Sequence, residues 1–162
     1  MDTAHIHSDP HSRPRAADER RAALAAMCGR HRVEVVYAFG SRAEEALSWI
    51  RGEIETMDPD GSDLDIGVKT AGATSEGDLT LDEKVGLASA LEDFFAVARV
   101  DLVTFAEAGA VLAVNIVSGE RLYAQSERLA DEFDLYVLRR AGDLAPFERQ
   151  RQAMILGLPE AG

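Results

Sequence analysis

The sequence predicts an α/β (α+β) domain, a small mixed β-sheet flanked by helices, and three observations carry that prediction. Short stretches rich in β-branched and apolar residues at 33–39, 63–69 and 99–105 read as strands. Segments with helical spacing of apolar residues lie between and around them, so helix and strand alternate along the chain. With 162 residues, 46% of them apolar, the chain can bury one substantial core, and it shows no internal repeat of the kind that builds solenoids.

Residues 1–16 (MDTAHIHSDPHSRPRA) carry too little apolar surface to offset the entropy of ordering, and are expected to form a disordered tail ahead of a single domain over 17–162. His5, His7 and His11 fall in that tail, where their spacing specifies no site. Residues 17–29, rich in Ala, Arg and Leu and closed by Gly29, predict the first helix. Residues 33–39 form the first strand, ended by Gly40-Ser41. A helix over 42–50 has Ala46, Leu47 and Ile50 on one side, and 51–62 is a polar loop dense in turn residues.

The second strand, 63–69, is followed by a Gly- and Ser-containing loop over 70–78. Thr80 and Glu83 form a capping box opening a helix whose Leu81, Val85, Ala88, Leu91 and Phe95 recur at helical spacing. The third strand is 99–105, then come a helix over 107–118 and a short extended piece at 120–124. Ser126 caps a helix running to about Gly142, and a separate helical segment is expected over 145–156.

Composition removes several classes of function. The net charge of -12, from 29 acidic and 17 basic residues, disfavours direct nucleic-acid binding, which draws on clustered cations. No run of about eighteen apolar residues exists, and no apolar stretch follows a basic start, so a cytoplasmic protein with neither membrane span nor signal peptide is expected. The one cysteine, Cys28, cannot form an intramolecular disulfide and reads as a buried thiol.

The informative residues are acidic. On a strand, Asp63 and Asp65 project from one face while Leu64, Ile66 and Val68 point into the core. Asp101 shares its strand face with Val103 and Phe105, an apolar setting where an unpaired carboxylate costs about 2–7 kcal/mol; an ion pair with Arg99, or a strand-edge position in solvent, is the plainer role. Gathered carboxylates repel one another and call for a divalent cation, and an all-oxygen donor set suits Mg²⁺. Upstream, Gly40 and Ser41 leave a buried strand and open a helix, where free amides and the dipole suit a phosphate, with Ser41 adding a hydroxyl and Arg42 a charge. A Gly-Ser turn alone is weak evidence and gains force from the carboxylates. Together they suit metal-assisted transfer of a phosphorus group. In that chemistry Asp63 and Asp65 hold the Mg²⁺ that grips a triphosphate, and Asp101 serves a second ion and lies nearest the nucleophile's proton.

Gly40-Ser41, the Asp63-x-Asp65 pair and the later Asp101 resemble the signature of the DNA polymerase beta superfamily of nucleotidyltransferases. Its small size makes the chain similar to the minimal nucleotidyltransferases, the MNT antitoxins that pair with HEPN-domain toxins. The likeness runs from about Val33 to Tyr123. It implies the palm-like nucleotidyltransferase fold, ATP or another nucleoside triphosphate as donor, two Mg²⁺ ions, and transfer of AMP to a tyrosine hydroxyl on a HEPN-type toxin. The family motif continues Gly-Ser-x-Ala-Arg-Gly, whereas here Ser41-Arg42-Ala43 is followed by Glu44-Glu45, and Asp63 comes 22 residues after Ser41. Arg51 restores the displaced arginine if 44–50 is an insertion.

Other readings of the same residues are a non-catalytic antitoxin of this fold, and nucleotidyl transfer to a small-molecule hydroxyl such as an aminoglycoside's, for which an oligomer would supply the missing wall. Leu129, Phe133, Leu135, Tyr136, Val137 and Leu138 spread apolar residues over more than one helix face, which suits a protein partner.

Overall fold

A computed structural model describes residues 12–72 and 79–157, with side-chain surroundings from residue 15 onward. Four strands form a mixed sheet in the order β3-β2-β1-β4, where β1 is Val33–Phe39, β2 Leu64–Thr70, β3 Val100–Thr104 and β4 Glu120–Ala124. β1 runs antiparallel to both β2 and β4, and β2 runs parallel to β3. The helices are α1 (Ser12–Arg30), α2 (Ala43–Ile50), α3 (Leu81–Phe95), α4 (Ala110–Val117) and α5 (Glu127–Leu156).

Alternation along the strands builds two cores. Val36, Ala38, Leu64, Ile66, Val68, Val100 and Leu102 face α1, α2 and α3, meeting Leu24, Trp49 and Phe95. Val35 and Tyr37 face the opposite way, with Ile116 of α4 and Ala130 of α5. A central strand buried on both faces reads as a near-continuous apolar run, as Val33–Phe39 does.

Element boundaries move by a few residues from the sequence reading, and two differences have physical causes. α1 begins at Ser12, inside the stretch assigned to the tail: Pro14 falls in the first turn, where its missing N–H costs no helical bond. Residues 1–11, with the three histidines, lie outside the described residues, as does 73–78 of the loop after β2. The two C-terminal helices are one, since α5 continues through Pro146. The proline lacks an N–H for the Gly142 carbonyl, a loss of one bond in a helix of 30 residues. The Thr80–Glu83 capping box and the Ser126 cap both form, the latter accepting from the Leu129 N–H.

Candidate active site

The strand register brings the carboxylates together. Phe39 of β1 stands opposite Asp65 of β2, and Asp65 stands opposite Asp101 of β3, so a row crosses three strands on the face that carries α4 and α5. α4 packs one pleat further along, where Ile116 fills the space that a side chain at Gly67 would need. The Asp65 row therefore lies beyond the edge of that helix. Asp65 is half-buried and Asp101 exposed. Asp101 thus sits at an open strand edge rather than in the apolar surroundings expected from Val103 and Phe105.

Asp63 precedes β2 by one residue and is exposed. Its carboxylate is 3.5 Å from Arg99 Nε, so that arginine pairs with Asp63 and not with Asp101. Burial, then Asp101, then Asp63 push the Asp65 carboxyl above its ordinary range. Among the described residues no three acidic, histidine or cysteine side chains already close into a metal shell. The donor set nevertheless fits a hard divalent cation: it is all carboxylate, and Asp65 carries an electrostatic penalty that a cation would relieve.

The Gly40 turn is built against the same group. Gly40 has φ +73°, and a Cβ there would lie 2.5 Å from Asp65 Oδ2. Only glycine allows both the left-handed backbone and that approach. Gly40–Arg42 forms a single 3-10 turn leading into α2, and neither helix has a side-chain cap at its start. The Ala43 N–H turns back to the Gly40 carbonyl, and with no side-chain acceptor at either start the junction suits an outside anion. Ser41 Oγ is 3.2 Å from Ser62 Oγ, next to Asp63. A cleft of about 390 Å³ opens beside the turn, between Phe39, Gly40 and Glu44 on one side and Asn115, Ser118 and Glu120 on the other. A groove of about 470 Å³ lined by Phe105, Phe133, Tyr136 and Arg140 lies toward the far end of β3, roughly 13 Å from Asp101 at about 3.3 Å per residue.

The arginines expected to hold phosphates do not gather there. Arg42 is buried and turned inward, its guanidinium paired with Glu45 and donating to the backbone carbonyls of Asp58 and Ser62. Arg51 follows the last residue of α2, nine residues and about 14 Å along the helix from Arg42. Sequence reasoning missed Glu45 and Ser62. The only signal for Glu45 was its i+3 spacing from Arg42, and nothing marked Ser62 beyond its place before Asp63.

The family model described as "Polymerase beta, Nucleotidyltransferase" matches residues 23–128, which include the Gly40 turn and all three aspartates. No curated protein sequence matches. Solved structures share the fold at low identity. A chain of the toxin-antitoxin MntA-HpeT aligns with TM-score 0.59 and 20% identity, over 83% of this chain and 94% of that one. A toxin-antitoxin structure with AMP-PNP aligns at 0.58 and 21%, over 83% and 94%. A Shewanella oneidensis complex of a tri-AMPylated HEPN toxin with MNT antitoxin aligns at 0.56 and 20%, over 86% and 95%.

Proposed function

The chain belongs to the polymerase beta nucleotidyltransferase family, and from that premise we propose that it transfers AMP from ATP to a hydroxyl, a tyrosine's by preference, on a HEPN-type toxin that it neutralises in the cytoplasm. The observation that carries this reading is the placement of Asp65 directly opposite Asp101, with the Gly40 backbone against Asp65. Support for the partner comes from the fold shared with a chain of an AMPylated HEPN toxin–MNT antitoxin complex, and from α5, where Leu129, Leu135, Tyr136 and Leu138 are exposed while Val137 is buried. Among the described residues no helix is long and apolar enough to cross a membrane.

In this reading Asp63, Asp65 and Asp101 hold two Mg²⁺ ions, which when bound supply Lewis acidity at the triphosphate and at the attacking oxygen. The amides at Gly40 and Ser41 and the Ser41 hydroxyl hold donor phosphate. The acceptor oxygen forms a bond to the α-phosphorus as the bond to the bridging oxygen of pyrophosphate breaks. Pyrophosphate leaves, and the acceptor proton goes to exposed Asp101.

Incubation with ATP, Mg²⁺ and the HEPN-type protein should add the mass of AMP to that protein, and Asp63→Asn with Asp65→Asn should abolish both the gain and the neutralisation. One structural observation favours the rival reading of neutralisation by contact alone. Glu44 lines the cleft at the Gly40 turn, and Arg42 is turned away from it. Neutralisation that survives the double substitution, with no mass gain in the wild type, selects that rival.

A further inference from the structure

We propose that Arg42, acting with Glu45, is a positioning residue that sets Asp63 for metal rather than a contact to the nucleotide, an inference that rests on the reaction proposed above. Arg42 is 5% exposed. It makes a two-point pair with Glu45, at 2.8 Å from Nε and 3.0 Å from Nη2, and donates to the Asp58 carbonyl at 2.5 Å and the Ser62 carbonyl at 2.9 Å. Glu45 in turn accepts from the Asp58 N–H at 2.6 Å. Gly61 packs flat on this assembly, since a Cβ there would lie 2.9 Å from Arg42 Cζ.

The Ser62 carbonyl belongs to the peptide plane that carries the Asp63 nitrogen. Holding that oxygen fixes the direction in which Asp63 leaves the loop. The next peptide is fixed from the other side, where the Leu64 N–H donates to the Arg99 carbonyl at 3.0 Å. Asp63 is therefore held between two anchored peptides although its own side chain is exposed. A planar fork can span a carboxylate and two carbonyls, and an ammonium cannot, so lysine does not replace arginine here.

Partners that orient a ligating carboxylate are worth about 10–100-fold in metal affinity. Mn²⁺ binding to the full chain, measured by electron paramagnetic resonance, should weaken at least about tenfold in Glu45→Gln and in Arg42→Lys, with little further loss when the two are combined. Affinity for AMP-PNP without metal should stay at the wild-type value. Amide exchange across 58–62 should quicken in both metal-free variants. If Arg42 variants fail to fold, Gly61→Ala, which presses on the same guanidinium, should give the same loss of Mn²⁺.

Variants that bind Mn²⁺ as tightly as wild type overturn the positioning role alone. So does Arg42→Lys that keeps metal affinity while Arg42→Gln loses AMP-PNP, since that pattern marks a phosphate contact. A wild type that takes up no Mn²⁺, with or without AMP-PNP, overturns the reaction and this role together.

Discussion

Gly40 and Asp65 approach so closely that the absent Cβ of one defines the place of the other's carboxylate, 2.5 Å away. Gly40→Ala should accordingly fail twice over. The left-handed backbone costs an alanine about 1–2 kcal/mol, which urea unfolding will read. Displacing Asp65 by an ångström should lower AMP transfer about 100-fold in a mass assay of the acceptor. Transfer at the wild-type rate would remove Asp65 from the centre of the site.

Asp65 also predicts how metal-free stability depends on pH. Its carboxyl is raised in the folded state, first by burial and then by Asp101 and Asp63. The folded protein therefore holds that proton more tightly than the unfolded chain. The resulting stabilisation is complete below the ordinary aspartate range and is lost as pH rises through the raised folded value. Thermal melting should show Asp65→Asn more stable than wild type at neutral pH without metal. Added Mg²⁺ should raise the wild-type midpoint and leave the variant unmoved.

Arg121 of β4 ties the start of α5 to the sheet, donating to Glu127 at 2.8 Å, Asp131 at 2.9 Å and Asp134 at 2.7 Å, while buried Tyr37 donates to Asp134. Glu127 and Asp131 are exposed and contribute little, whereas Asp134 is mostly covered. Arg121→Ala leaves that carboxylate and the Tyr37 hydroxyl without their cation. It should cost about 2–3 kcal/mol in urea unfolding, and a loss under about 0.5 kcal/mol would reduce the cluster to a surface feature.

Leu135 and Leu138 test the partner. Both are about half exposed, so replacing them with glutamate should move the chain's own stability by no more than about 0.5 kcal/mol. The same pair of changes should abolish co-purification with the HEPN-type protein. Intact binding would place the partner on another surface.

Much of this architecture was readable from residue patterns, because the patterns that succeeded are local. Leu64, Ile66 and Val68 are fully buried and Asp65 projects the other way, as alternation on a strand requires. Thr80 and Glu83 sit three residues apart and cap each other as that spacing predicts. The inward turn of Arg42 was not readable, because its direction is set by Glu45 and by carbonyls 16 and 20 residues away, which no neighbouring pattern announces. For Asp101 the sequence left an apolar setting and a solvent-exposed strand edge both open, and the choice follows from the place of β3 at the edge of the sheet, a non-local fact. The break expected near Gly142 does not occur, because α5 continues through Pro146 at the loss of one helical hydrogen bond.

The segment between α2 and β2 looked like slack in the sequence and is stitched down in the fold. Arg20 of α1 stacks over Trp49 and donates to the carbonyls of Trp49, Ile54 and Glu55, Met57 is buried in the core, and Arg42 holds the far end. The entropy of ordering a long excursion is thereby met within the fold itself. The Asp63 carboxylate at its far end, close to Ser41 through the Ser41–Ser62 hydroxyl contact, is thus delivered by a tether already sewn to the body of the protein.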